Sequence, residues 1–467
     1  MTRPFFSLLS SSLLVISLIV RGASGSTVLD PLPENSTTRF GQALLTLGDV
    51  NGDGVADLVV AAPFQDGDFV STQSSFGRPQ NVGKVFILDG STLAVLDELN
   101  DPEFERVQDQ HFGGQFGTSV SSVADLNGDG VADLVVGVPH HISDPGTEEA
   151  EVNAGEAFVF SGKDGALLFT LADPTEEEDG KMGTAVAGVG DLDFDGVPDL
   201  VVGVPGKDIG GEEGIPNVGL AYVFSGKTGQ LILTLNHPAQ NGTEAGAALG
   251  AAIANAGDLD GDAVSDVLVG APGEGKAWIF SGKTGNVIVT LASPFAESLH
   301  SFGSAVAGGK DFNRDGKPDL VIGSPARESF RGAAYVFNGS DGSLQRTLLP
   351  AARQPFARFG AAVFVGDDLT GDHRPDVAVG APGQNVDGLL QAGSITIFEG
   401  RRGRIYKTLT SLAPQARASY GAALTAADFD GDGVATLVAG TPDQDAVIDG
   451  GNGPVPHLEV GQIEIQP

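Results

Sequence analysis

The sequence predicts an all-β fold in which one four-stranded unit is repeated seven times, and three observations carry the prediction. An apolar residue followed by Gly recurs along the chain, as Phe40-Gly41, Phe116-Gly117, Met182-Gly183, Leu249-Gly250, Phe302-Gly303, Phe359-Gly360 and Tyr420-Gly421. After each pair comes an acidic loop, and after each loop an apolar run ending in small-x-Pro: Ala61-Ala62-Pro63, Gly137-Val138-Pro139, Gly203-Val204-Pro205, Gly270-Ala271-Pro272, Gly323-Ser324-Pro325, Gly380-Ala381-Pro382 and Gly440-Thr441-Pro442. Between these landmarks short strand-like runs recur, and no segment carries the stripe of an amphipathic helix. Glycine fits the same reading: 68 of 467 residues is about twice the usual share and suits short strands joined by tight turns.

Taken in order, the chain opens with Arg3, an apolar or Ser run from Phe5 to Val20, and the small residues Ala23-Ser24-Gly25. This is the pattern of a secretory signal cleaved after Gly25; an uncleaved anchor needs a longer apolar run. Residues 26–467 are expected to form one domain, with repeats beginning near 39, 115, 181, 248, 301, 358 and 419. The second repeat shows the unit best. Its loop feeds the strand Leu134 to Val138, then the alternating strand Ala157-Phe158-Val159-Phe160, the turn Ser161-Gly162-Lys163-Asp164-Gly165 and a fourth strand, Leu167 to Leu171. Four-stranded sheets repeated around a channel make a β-propeller; a solenoid, the alternative, needs capping ends. The seventh repeat stops after its third strand, Val460 to Ile465, while Thr27-Val28-Leu29-Asp30-Pro31 matches the fourth-strand segment Val289 to Pro294 of the fourth repeat. The N-terminal segment is therefore expected to supply the outer strand of a seventh blade and close the ring.

Lys and Arg number 26 against 61 Asp and Glu, a net charge of −35. Phosphate contacts need a basic surface, so the balance argues against a nucleic-acid partner. There is no cysteine, which excludes disulfides, Cys-ligated zinc, thiol catalysis and lipid attachment through Cys.

The acidic loops place oxygen-bearing side chains two residues apart, with Gly at the sixth position and Asp at the ninth, as a hard cation such as Ca²⁺ requires. The candidate ligands are Asp49, Asn51, Asp53 and Asp57; Asp125, Asn127, Asp129 and Asp133; Asp191, Asp193, Asp195 and Asp199; Asp258, Asp260, Asp262 and Asp266; and Asp311, Asn313, Asp315 and Asp319. The seventh-position carbonyls of Val55, Val131, Val197, Val264 and Lys317 complete these five sets. The fourth loop has Ala263 in place of the Gly, a mild strain. The sixth keeps Asp368, Thr370, Asp372 and Asp376 but has His373 at the bend; the seventh keeps Asp428, Asp430 and Asp432 but has Thr436 where the last Asp would stand. Weaker binding is expected in these two. Turn formation explains one Asp or Asn, but four acids at fixed spacing repel one another unless a cation sits between them. Several structural Ca²⁺ sites, up to seven, are expected.

Phe-Gly, then D-x-[DN]-x-D-G-x-x-D, then Gly-Ala-Pro is the signature of FG-GAP repeats. The chain resembles the seven-bladed β-propeller at the N-terminus of integrin α subunits, over essentially all of residues 26–467. The resemblance implies a Ca²⁺-binding adhesion or recognition module, secreted or on the cell surface.

The connections from second to third strand are long after Pro63, Pro139, Pro205 and Pro442, in repeats that become neighbours once the ring closes. Variable loops on a rigid scaffold are where binding is usually found. Phe64, Phe69, Phe76 and Arg78 in the first insertion, and His140 and His141 in the second, are the candidate partner contacts. The function expected is non-enzymatic recognition of an extracellular protein or glycan. A carbohydrate-binding propeller and an accessory propeller of a polysaccharide- or lipid-degrading enzyme are the alternatives. Gly226-Lys227-Thr228 and Gly282-Lys283-Thr284 resemble the end of a phosphate-binding loop, but Ala221 and Ala277 stand where its first Gly belongs.

Overall fold

The computed structural model describes residues 17–20, 27–30, 38–65, 81–103, 113–142, 153–175, 177–210, 214–238, 245–295, 301–366, 368–444, 447–449, 454–456 and 462–466. Among them the chain is a β-propeller with six four-stranded antiparallel blades, each made of consecutive strands. The first blade is Ala43–Leu47, Asp57–Ala62, Lys84–Leu88 and Val95–Leu99, and the second is Ser119–Val123, Asp133–Val138, Glu156–Phe160 and Leu167–Ala172. The third is Val186–Gly188, Leu200–Val204, Leu220–Phe224 and Leu231–Asn236, and the fourth is Ala252–Gly257, Asp266–Ala271, Lys276–Phe280 and Val287–Ala292. The fifth is Ala305–Lys310, Asp319–Ser324, Ala333–Phe337 and Leu344–Leu348, and the sixth is Ala362–Gly366, Asp376–Ala381, Ser394–Phe398 and Ile405–Leu409. No helix among the described residues is long and apolar enough to cross a membrane.

The sequence predicts seven four-stranded blades; the structure has six. The strands of the seventh repeat, Leu424–Ala427, Thr436–Thr441 and Gln462–Gln466, belong instead to a five-stranded sheet that also takes in Thr27–Asp30 and Ser17–Val20. Thr27 lies opposite Ile465, and Val20 lies opposite Thr27 on the other side. The physical reason for the fifth strand is the free edge of Thr27–Asp30, whose backbone groups pair with any suitable neighbouring segment. The connection within this repeat carries an added hairpin, Val447–Asp449 with Pro454–Pro456.

Packing follows from strand composition. The second strands are buried along their whole length in blades one to six, as in Asp133–Val138, which is why they read as unbroken apolar runs rather than alternating ones. Each apolar core lies between two successive sheets. Val85 and Ile87 of the first blade meet Leu134, Val136 and Phe158 of the second around Phe116. Val201 and Val223 of the third meet Val267, Val269 and Trp278 of the fourth around Leu249. Val438 and Ile463 of the five-stranded sheet meet Leu58, Val60 and Phe86 of the first blade around Phe40.

The recurring glycines meet at the seams between these sheets. Within a repeat, the amide of the Gly after the apolar residue donates to the carbonyl of the small residue two before Pro, for example Gly183 to Gly203 at 3.0 Å and Gly360 to Gly380 at 2.9 Å. Across the seam, a Cβ on Gly203 would stand 2.0 Å from the carbonyl oxygen of Gly250 in the next repeat. Gly137 stands in the same relation to Gly183, Gly323 to Gly360, Gly380 to Gly421 and Gly440 to Gly41. No side chain fits at these points, because the obstacle is backbone. Gly323→Ala is expected to cost about 1–3 kcal/mol by overpacking. Gly48→Ala, in open space, should stay within about 0.5 kcal/mol. Urea midpoints of the two variants check this, and equal midpoints would refute it.

Candidate metal centres

Each acidic loop joins the first and second strands of its repeat, and its backbone closes around the first Asp. The amide at the sixth position donates to Oδ2 of that Asp in every loop: Gly54 to Asp49 at 2.7 Å, Gly130 to Asp125 at 2.8 Å, Gly196 to Asp191 at 2.9 Å, Ala263 to Asp258 at 3.0 Å, Gly316 to Asp311 at 2.9 Å, His373 to Asp368 at 2.6 Å and Gly433 to Asp428 at 2.9 Å. The bend puts the sixth residue in the left-handed region, where Gly is at ease. Gly130 has φ of 89°; Ala263 and His373 accept the same region at 69° and 59°. Both substitutions therefore keep the loop's shape. Desolvation opposes the charge on Asp368, yet the amides of His373, Thr370, Asp372 and Gly371 hold its carboxyl below the ordinary value.

The ninth-position Asp also ties the loop to its blade. Asp57, Asp133, Asp199, Asp266, Asp319 and Asp376 are all fully buried. Asp199 accepts the Leu192 amide on Oδ2 at 2.7 Å and the Gly226 amide on Oδ1 at 3.0 Å. Asp133 does the same with Leu126 at 2.8 Å and Gly162 at 3.1 Å. One carboxylate thus ties the loop to the turn between third and fourth strands of the same blade. Burial pushes Asp199 and Asp266 up to about 6, against the pull of these amides. It raises Asp57, Asp133, Asp319 and Asp376 as well.

Apart from the buried Asp368, the other side-chain ligand candidates lie nearer solvent. Ligand atoms of Asp191, Asp193 and Asp199 fall within 4.8 Å of one another, as do those of Asp258, Asp260 and Asp262, of Asp368, Asp372 and Asp376, and of Asp428, Asp430 and Asp432. The two irregular loops therefore still assemble three carboxylates each. In two of the loops with Asn at the third position its amide bridges: Asn127 Nδ2 donates to Asp129 at 2.9 Å and Asn313 Nδ2 to Asp315 at 3.1 Å. Asn51 Oδ1 accepts the Asp53 amide at 2.9 Å, and Asp195 Oδ1 accepts the Val197 amide at 2.9 Å. The donor set is oxygen throughout, which fits a hard divalent cation. Beside the seventh loop is a cavity of about 340 Å³, lined in part by Tyr406, Lys407, Asp430, Asp432 and Thr436.

Sequence reasoning missed the residues that the third-to-fourth turns bring to the loops. Ser91 Oγ donates to Asp53 at 2.9 Å and Ser161 Oγ to Asp129 at 3.2 Å. Lys163 and Lys227 donate to the carbonyls of Asp129 and Asp195, each at 3.0 Å, and Lys283 lies 3.6 Å from Asp262. The signal was available, because Ser-Gly-Lys recurs at one place in three repeats. These contacts also give Lys227 and Lys283 a role unrelated to phosphate.

The proposed partner contacts are dispersed. Phe69, Phe76 and Arg78 lie outside the described residues. Phe64 sits under the Arg39 guanidinium at 4.8 Å. His140 Nδ1 is 3.0 Å from Asn153 Oδ1. His141 is only 6% exposed, 3.7 Å from Glu156 and edge-on to Phe158, with Glu103 close by. It faces inward.

Asp199→Ala removes the acceptor of two buried amides, so it is expected to cost about 2–4 kcal/mol even in chelator. Asp193→Ala, at an exposed position, should cost about 0.5 kcal/mol or less in chelator. Denaturation of both variants checks this; equal losses would contradict the division of labour.

The FG-GAP repeat family matches residues 40–88, 116–160, 182–224, 249–290, 302–337 and 359–398. The chain is 30% identical over 264 residues to integrin alpha pat-2 of Caenorhabditis briggsae, covering 53% of this chain and 18% of that protein. It is 32% identical over 178 residues to integrin alpha-2 of Mus musculus, covering 34% and 15%. It is 27% identical over 370 residues to phosphatidylinositol-glycan-specific phospholipase D of Bos taurus, covering 68% and 42%. The chain thus spans less than half the length of each of these relatives. With more than half of its residues matched, in repeats that carry the loop and seam glycines just described, the chain belongs to the FG-GAP repeat family.

Proposed function

We propose that the chain is a calcium-stabilised recognition propeller of seven units, exported from the cell and non-enzymatic. The observation that carries this reading is one loop conformation repeated seven times around an all-oxygen donor set. In the first five loops the side chains at positions one, three, five and nine, with the carbonyl at position seven, would hold the ion; in the sixth Asp368, Thr370, Asp372 and Asp376 would do so, and in the seventh Asp428, Asp430 and Asp432. The cation would supply a positive centre that relieves the repulsion among the carboxylates. The ninth Asp and the first Asp are already oriented by backbone amides, so little ordering is needed on binding.

The five-stranded sheet is read as the seventh blade. Cleavage after Gly25 would remove Ser17–Val20 and leave four strands, with Thr27–Asp30 outermost and the ring closed. The contact of Gly440 with Gly41, of the same kind as the other seams, supports this. So does the core shared around Phe40. The likeness to integrin alpha chains supports an extracellular or cell-surface setting and a protein or glycan ligand. A second reading, an accessory propeller of a lipid-degrading enzyme, draws on the match to the bovine phospholipase D. Turnover of a phosphatidylinositol-glycan substrate by the purified chain would favour that reading over the first.

Extracellular Ca²⁺ modules bind at roughly 0.1–1 mM, so at about 2 mM free Ca²⁺ each site would contribute roughly 0.6–1.8 kcal/mol. The melting temperature is expected to rise several degrees from chelator to about 2 mM Ca²⁺; an unchanged value would sink the metal assignment. Removal of residues 1–25 should leave stability within about 0.5 kcal/mol. Further removal to residue 37 should cost about 3 kcal/mol or more by stripping the outer strand from Gln462–Gln466. Thermal melts of the two truncations check this, and equal stability would refute ring closure by the N-terminal strand.

A further inference from the structure

One surface departs from the overall charge of this acidic chain. Segments 326–331, 352–358, 384–391 and 415–419 hold five Arg and only two acids, Glu328 and Asp387, in a protein of net charge −35. Hydrogen bonds join them into one patch. The amides of Phe356 and Arg358 donate to Ser329 and Phe330 at 3.2 and 2.8 Å, and that of Arg417 donates to Leu390 at 2.7 Å. Gln354 exchanges two bonds of 3.1 Å with Asn385.

The patch is a built feature. Arg327–Phe330 contains three successive non-glycine residues in the left-handed region, Glu328, Ser329 and Phe330, at φ of 50°, 61° and 59°. A left-handed turn of side-chain-bearing residues is strained, and it persists only where its surroundings impose it. Here it lays the Phe330 ring parallel to Phe356, with centroids 5.9 Å apart and an interplanar angle of 18°. Phe356 and Leu390 are each 61% exposed. Arg327 lies buried with its guanidinium 4.1 Å from the Phe295 ring, and its Nη1 has no hydrogen-bond partner. Glu328 engages Arg353 at 2.7 Å and Arg327 at 2.8 Å, while Arg358 and Arg417 stand exposed.

We propose that this patch docks an acidic peptide segment of a partner protein, one that alternates carboxylates with apolar side chains. Guanidinium forks take carboxylates in pairs, and exposed aromatic and aliphatic side chains between them take the apolar residues. A sulfated polysaccharide would satisfy the Arg residues, but its hydroxyls would find no hydrogen-bond partner on Phe356 and Leu390. The proposal rests on the recognition reading only in supposing a protein partner, and its surface is separate from the metal loops.

The test is fluorescence anisotropy of a short labelled peptide alternating Glu and Leu, titrated with the whole chain in Ca²⁺. A peptide with Gln for Glu and unlabelled heparin as competitor complete the set. Binding that weakens at least tenfold in the R358A/R417A double variant, weakens in Phe356→Ala, falls with added salt and is lost with the Gln peptide is the expected result. These side chains are exposed, so circular dichroism should show folded variants, and R358K/R417K should retain part of the affinity. Absence of binding to the folded wild type, binding that ignores the Arg variants, or heparin binding more tightly than the peptide at this patch would overturn the proposal. Lipid turnover by a chain that still binds the peptide would overturn the function proposed above and leave this site standing.

Discussion

The structure depends on a contact between backbones. At six of the seams the Gly two before Pro sits against the carbonyl of the next repeat's Gly, close enough that a Cβ on Gly203 or Gly380 would collide at 2.0 Å. That proximity allows the wholly buried second strands to be covered on both faces and draws Phe116, Leu249 and Phe302 into the cores between sheets. The two halves of the repeated motif are thus halves of one joint, contributed by different repeats. In the first repeat, where Ala61 replaces the Gly, a Cβ built on Gly117 comes 3.1 Å from the Ala61 methyl.

The acidic loops are anchored to this frame by the ninth Asp. Because each such carboxylate accepts amides from both the loop and the neighbouring turn, the loop is held by the blade before any ion arrives. The more exposed positions answer to solvent and to charge. Thr436 in the seventh repeat loses this tie, and a cavity lies beside it.

The all-β class, the four-stranded unit and the loop positions were legible because each has its own spacing: period two for strands, a Gly at the bend, Asp at positions one and nine. Other features were not. A spacing rule counts oxygens but does not say which of them are buried, so Asp199 and Asp193 looked alike in sequence. Six four-stranded blades rather than seven follow from the pairing of Ser17–Val20, a run whose composition reads as an export signal. His141 seemed a surface contact because it follows Pro139 at the start of a long connection, yet it turns inward against Phe158. The left-handed turn at Glu328 to Phe330 has no Gly to announce it.

Joints made of backbone also bear on inheritance. When two repeats interlock through atoms that every residue shares, one repeat can be copied and set beside another without its side chains having to co-adapt at the closest point of contact. Such a chain can grow or shrink by duplication of whole repeats, and its outer loops can diverge separately.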